Sequence, residues 1–252
     1  MTAKLEREIQ ELGGKPIAEY KGMASLPLVL IGLAIVWGLI GLGLVIWSLM
    51  ASRSDSSLLC WVAPGLICLS FGVWAVNEWR LKHNLRALVF PDGLIHVRGG
   101  RVNAFRWDEI TEVYQSMQRT HRFGRAVQRI YTVRDASGRK SVLTGELAGI
   151  AALGETIQRE VTARILPRYW EAYNQGKALQ FGALGLSKEG ISKGRQVLAW
   201  DQIEEVKLER GSIVIKKEAG KLPWASITAS STPNLFVLTS MLEKIIGVTM
   251  NA

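Results

Sequence analysis

Charged residues disappear from the chain between Lys21 and Arg53, and within that gap residues 26–50 read LPLVLIGLAIVWGLIGLGLVIWSLM. A helix of this length rises about 37 Å, enough to cross a hydrocarbon core with some tilt. A polar turn, SRSDSS at 52–57, leads into a second uncharged run at 58–77, LLCWVAPGLICLSFGVWAVN. The two runs predict a transmembrane helical hairpin over residues 26–79, with spans at 26–50 and 58–77. Pro64 and Gly65 are expected to kink the second span, a defect tolerated where neighbouring groups satisfy the freed carbonyl. Ala34, Gly38 and Gly41 put small residues on one face of the first helix, which allows close helix packing. A cleaved signal peptide fits poorly, because the first run starts late, is too long, and continues into another span.

Beyond residue 85 the period changes from continuous apolar to alternating. Pro91-Asp92-Gly93-Leu94 is followed by Phe105-Arg106-Trp107-Asp108-Glu109-Ile110-Thr111-Glu112-Val113. Later, Lys188-Glu189-Gly190-Ile191 is followed by Leu198-Ala199-Trp200-Asp201-Gln202-Ile203-Glu204-Glu205-Val206. Each stretch is an acid-Gly turn flanked by alternating apolar positions, a hairpin signal, then Trp-Asp-x-Ile-x-x-Val, and together they read as an internal repeat. Trp107 follows Gly93 by 14 residues and Trp200 follows Gly190 by 10, so the hairpins differ in length.

Downstream of each Trp come strand-like runs, Ile130–Arg134 and Ser141–Thr144 in the first stretch, Ser212–Lys216 and Ala225–Thr228 in the second. A helix is expected from near Glu146, burying Leu147, Ile150, Leu153, Ile157 and Val161, and another after Pro233, burying Leu235, Leu238, Leu242 and Ile245. Trp107 and Trp200 are expected to pack into their own sheets, and Asp108 and Asp201 to brace turns. The fold class expected is therefore α+β and membrane-anchored: the transmembrane hairpin, then tandem units of antiparallel sheet capped by a C-terminal helix. That order is the pattern of a PH-like (pleckstrin-homology-like) module.

The same motifs, with Ile165-Leu166-Pro167-Arg168 as a linker toward Gly176 and Phe181-Gly182, and Pro233-Asn234-Leu235 opening the last helix, resemble an uncharacterised bacterial membrane family. The resemblance spans Ala18 to Ile246 and implies an N-terminal transmembrane hairpin and two PH-like modules, with no reaction to carry over. The domains expected are a cytoplasmic segment at 1–25, the hairpin at 26–79, a first PH-like module at 86–175 with a long C-terminal helix, and a second at 176–252.

Charge adds an orientation. The net charge is +9. Residues 1–25 carry four bases and four acids, whereas Arg80 to Lys140 hold thirteen bases against five acids. The turn between the spans has only Arg53, offset by Asp55, while Lys15, Lys21, Arg80, Lys82 and Arg86 flank the other ends. The positive-inside rule then puts both termini in the cytoplasm; with the bacterial origin that the resemblance implies, the two spans are expected in the bacterial cytoplasmic membrane. Cys60 and Cys68, eight residues apart on one helix, lie roughly 12 Å apart and cannot pair, so no disulfide framework is expected. Neither span contains an ionisable side chain other than these cysteines, so the hairpin reads as an anchor and not an ion path.

No nucleophile beside a base and no metal-ligand spacing is seen: His83, His96 and His121 are scattered, and Gly13-Gly14 and Gly99-Gly100 read as turn glycines. No catalytic residue, metal or cofactor is expected, and the chain is not read as an enzyme. The most distinctive polar segment is QRTHRFGRAVQR at 118–129, where Arg119, Arg122, Arg125 and Arg129 surround His121 and Phe123. Arginine forks beside a membrane suit anionic lipid headgroups; a hairpin loop kept soluble by its charge is the alternative. Nucleic acid is not expected, since no recognition helix or RNA-binding sheet signature is present. Two functions remain: a noncatalytic membrane-anchored binding or scaffold protein that takes a protein partner or anionic lipid headgroups, or an accessory subunit of a larger membrane complex.

Overall fold

The computed structural model describes residues 2–23, 28–51, 62–120, 126–218 and 222–247. The elements run α1 (Thr2–Glu11), β1 (Ala18–Lys21), α2 (Leu28–Ala51), α3 (Val62–His83), β2 (Arg86–Val89), β3 (Gly93–Arg98), β4 (Arg101–Arg106), β5 (Ile110–Thr120), β6 (Ala126–Asp135), β7 (Lys140–Leu143) and α4 (Ile150–Asn174). A second series follows as β8 (Leu179–Phe181), β9 (Leu184–Leu186), β10 (Gly190–Lys193), β11 (Gln196–Ala199), β12 (Ile203–Glu209), β13 (Ser212–Lys217), β14 (Ala225–Thr228) and α5 (Leu235–Ile246). The chain is thus mixed α+β. Its described strands form antiparallel sheets ordered β1-β2-β3-β4, β5-β6-β7, β8-β9-β10-β11 and β12-β13-β14.

The two series correspond strand for strand: four strands, three strands, then a helix. The correspondence reaches single atoms. Trp107 Nε1 donates to Phe90 O and Trp200 Nε1 to Ser187 O, each at 3.1 Å, so each indole ties the end of its hairpin to the acid-Gly turn. A Cβ on Gly93 would strike Phe105 O and one on Gly190 would strike Leu198 O, which explains a glycine at both positions. Each three-stranded sheet opens with a β-bulge just after the Ile of the Trp-Asp-x-Ile segment, between Ile110 and Glu112 and between Ile203 and Glu205. Trp107 is fully buried as expected, and Trp200 is half-buried.

One strand escaped the sequence reading. Residues 18–21 form β1, which pairs antiparallel with β2 in the register Ala18↔Val89 to Lys21↔Arg86. The segment at 1–25 is therefore tied into the first four-stranded sheet, and α2 and α3 occupy the connection from β1 to β2. In the second series the same connection, between β8 and β9, is only Gly182-Ala183. A four-residue strand, AEYK, carries too little alternation to be recognised without its partner. The amphipathic α1, with Leu12 just after it, lays Leu5, Ile9 and Leu12 on the outer face of that sheet, against Leu88, Phe90, Ile95, Val97 and Val102.

The linker read at Ile165-Leu166-Pro167-Arg168 is helical: α4 continues through Pro167 to Asn174. Proline removes one ladder hydrogen bond, to Ala163 O, and the helix tolerates it because Ile165 and Tyr173 on either side are buried in the core. Helix α4 also begins at Ile150 and not near Glu146; Leu147 is buried ahead of it. Gly154 faces Tyr131 so closely that any side chain there would overlap the ring, and this lets α4 close on β6.

Helices α2 and α3 pack antiparallel with backbones nearly touching. A Cβ on Gly72 would lie 2.9 Å from Gly38 Cα, and one on Gly41 would lie 2.7 Å from both Cys68 Cβ and Gly65 O. The small face at Ala34, Gly38 and Gly41 is thus used within the chain. Helix α2 is long and apolar enough to cross a membrane over Gly32–Met50, 19 residues, while the apolar stretch described on α3 is shorter, Val62–Asn77. The turn expected at 52–57, the start of the second run at 58–61, and Cys60 lie outside the described residues.

The larger apolar core among the described residues runs from Leu85 through both series to Leu242. Its two halves are clamped by Asn234, which takes a left-handed backbone at φ 51° just before α5. Its N–H donates to Val113 O at 2.9 Å, Val113 N–H donates to its Oδ1 at 3.0 Å, and its Nδ2 donates to Thr111 O at 2.7 Å. Asn234 so acts as a short partner strand for the outer edge of β5. Asn234→Gly keeps the backbone geometry but strips both side-chain bonds; it is expected to cost about 1–3 kcal/mol, chiefly by leaving the buried Val113 N–H unpaired. Chemical unfolding of the full chain in detergent, followed by tryptophan fluorescence, checks this.

Candidate functional site

Three length differences between the two series gather in connections at one end of the first. The β1–β2 connection holds the helix pair. Strands β3 and β4 have six residues each where β10 and β11 have four, and β5 and β6 have eleven and ten where β12 and β13 have seven and six. All three connections adjoin the segment between β7 and α4. Gly22 bridges Leu147, Met23 N–H donates to Glu146 O, and Ala148 N–H donates to Lys21 O. Arg98, at the tip of β3, pairs with Glu146 at 3.4 Å, and Gly145 packs against the Gln128 side chain of β6.

This end is basic. Lys21 is widely exposed and sits 3.8 Å from Glu19, a pair weakened by solvent. Across the two-residue turn Gly99-Gly100, both with left-handed φ, Arg101 is exposed opposite Arg98. Arg86, opposite Lys21 on β2, is half-buried, and its Nε has no partner among the described residues.

Of the four arginines singled out in the sequence, the hairpin brings Arg119 and Arg129 onto its flanking strands, Arg119 opposite Val127 and Arg129 opposite Met117. The Arg119 side chain, and Arg122 and Arg125 entirely, lie outside the described residues. Arg129 is half-buried and hydrogen-bonds Tyr131. Burial pushes the Tyr131 hydroxyl above its usual pKa, and Arg129 works against that shift. Sequence reasoning missed Lys21, Arg98 and Arg101 as members of this end. Arg98-Gly99-Gly100-Arg101 was visible as a turn, but nothing local says that its tip meets the β7–α4 segment.

Inside the same end, between the two sheets, His96 is 3% exposed; its ring Nδ1 and Ser141 Oγ are 2.6 Å apart, while Nε2 has no partner among the described residues. Burial, aided by the charge of Arg98, lowers its pKa to about 4. His96 is thus neutral at physiological pH, a packed tie between sheets. Among the described residues no cluster of three or more His, Cys, Asp or Glu has the geometry to hold a metal ion.

Residues 1–247 match a family described as one of unknown function, DUF6585. No curated protein and no solved structure matches the chain.

Between pH 6.5, where an unfolded histidine titrates, and about 4, the unfolded chain binds the extra proton. Stability is therefore expected to fall by roughly 2–3 kcal/mol as pH is lowered across that window. His96→Gln should flatten this part of the curve when denaturant midpoints are measured against pH.

Proposed function

We propose that this chain, which belongs to the family of unknown function DUF6585, is a noncatalytic membrane-anchored binding protein. In this reading its two units are PH-like modules related by an internal repeat. The first engages anionic lipid headgroups, or a protein partner, at the cytoplasmic face of a bacterial membrane. One observation carries it: the helix pair, the lengthened β3–β4 turn and the arginine-bearing β5–β6 hairpin all leave the first unit around the same short segment. A four-plus-three-stranded sandwich closed by a helix, met twice in one chain, supports the PH-like reading.

Strand pairing also supports two crossings. Lys21 and Arg86 are partners in one sheet, so the chain between them returns to the side it left and crosses an even number of times. If α2 spans, α3 must bring the chain back. A cleaved signal sequence is disfavoured, because cleavage would remove β1 and with it an edge strand of a sheet. Basic residues near the base favour the cytoplasmic side for both termini in this reading. A cysteine introduced at Asp55, with Cys60 and Cys68 changed to Ser, should react with an impermeant maleimide in intact cells, and one at Lys188 should not. Labelling of Lys188→Cys alone would reverse the topology.

For lipid binding, short-chain phosphatidylglycerol is expected to raise the unfolding midpoint of the full chain in neutral detergent, and short-chain phosphatidylcholine is not. The triple change Arg119→Glu, Arg122→Glu, Arg125→Glu should remove most of that shift, each arginine contributing about 1 kcal/mol near an anionic surface. Equal responses to both lipids would sink the headgroup reading. The accessory-subunit reading draws support from an open groove of about 620 Å³ between α4 and α5, where Trp170 lies under Lys244 beside Leu166 and Pro167. Co-purification of one stoichiometric partner, lost on Trp170→Glu, would favour it.

A further inference from the structure

We propose that the helix pair and the basic end at its base together hold one anionic phospholipid as a stoichiometric ligand, phosphate at the base and one acyl chain in a groove between the helices. This rests on the membrane reading above. The groove has a volume of about 430 Å³ and exists because Gly38 and Gly72 supply no side chains where the helices touch. Its walls are Ile35 and Leu39 on α2 and Leu69 and Val73 on α3, and Asn77 stands at one end.

Position along the helices selects the occupant. Asn77 precedes the end of α3 at His83 by six residues, about 9 Å, and Leu69 lies about 21 Å from that end. Ile35 lies about 10 Å into α2. The groove therefore runs from the side nearest the soluble units to just past the middle of the helix pair, at the depth of acyl chains. A flexible apolar chain fits a trough of exposed Leu39 and Val73 side chains, 63% and 69% accessible. The polar end is fixed by charge: among the described side chains, Lys21 and Arg86 on one face of the sheet and Arg98 and Arg101 on the other stand at the base with Glu19 and Glu146. Four bases against two acids favour a phosphate that carries no cation of its own, so phosphatidylglycerol suits the base and phosphatidylcholine does not.

To test this, the full chain is reconstituted in bilayers of equal parts phosphatidylglycerol and phosphatidylcholine, extracted in mild detergent, and weighed by native mass spectrometry. One phosphatidylglycerol per chain is expected. Val73→Trp, or Leu39→Trp from the other wall, fills the groove from an exposed position and should lower that occupancy roughly tenfold, as should Arg98→Glu with Arg101→Glu. Unchanged occupancy in both tryptophan variants overturns the groove while leaving headgroup binding at the membrane surface intact. Equal retention of both lipids by the unaltered chain overturns the anionic ligand. Displacement of the lipid by glycerol phosphate at equal concentration would mean that a free phosphate ester is the ligand and the acyl chain contributes nothing. Recovery of the chain in the soluble fraction without detergent would instead bring down the membrane reading itself.

Discussion

The pairing of β1 with β2 is the constraint on which the rest of the first unit depends. Ala18–Lys21 must find Arg86–Val89 although the whole helix pair lies between them. Closing a long loop costs entropy that grows slowly with its length, and α2 and α3 reduce that cost by packing antiparallel and returning the chain to where it left. Glycines set how close the return is, because Gly38 against Gly72 and Gly41 against Gly65 leave no room for a side chain. The helix pair thus acts mechanically as a long, stiff version of the two-residue Gly182-Ala183 turn in the second unit.

The two units use one plan with different surfaces. Both depend on an indole bonded to a turn carbonyl and on a bulge after the same isoleucine. They diverge on the outer face of the four-stranded sheet. Leu88, Ile95 and Val97 make that face apolar in the first unit, and α1 covers it. The positions that Gly185 and Ser192 occupy in the second leave less to cover. Divergence also gathers around residues 144–149, where basic side chains meet the base of the helices. Shared residues hold the plan; the surfaces built on it are where a first-unit role can differ from a second-unit one.

Much of this was legible in the sequence because it rests on local pattern. The apolar runs marked α2 and most of α3, the three- and four-residue spacing marked α4 and α5, and the Trp-Asp-x-Ile segments marked equivalent corners. The parts that were not legible depend on partners distant in sequence. Strand β1 has four residues and gains its meaning only from β2. Ile165-Leu166-Pro167-Arg168 was read as a linker, yet buried contacts on both sides carry the helix through it. The basic end was read as one hairpin loop, when Lys21 and the Arg98–Arg101 turn come to it from two other connections. Asn234 looked like part of a helix start, and its bonds to a strand more than a hundred residues earlier have no local signature.

That asparagine has a consequence for synthesis. Strand β5 forms the border of its sheet, and its unpaired peptide groups would be a template for pairing with other chains. Among the described residues, Asn234 of the second unit is hydrogen-bonded to that border, at Thr111 and Val113. During translation the first unit therefore stands with the border open until the second unit has been made and has docked, and in that interval the nascent chain is most vulnerable to mispairing. Docking of the second unit closes that part of the border.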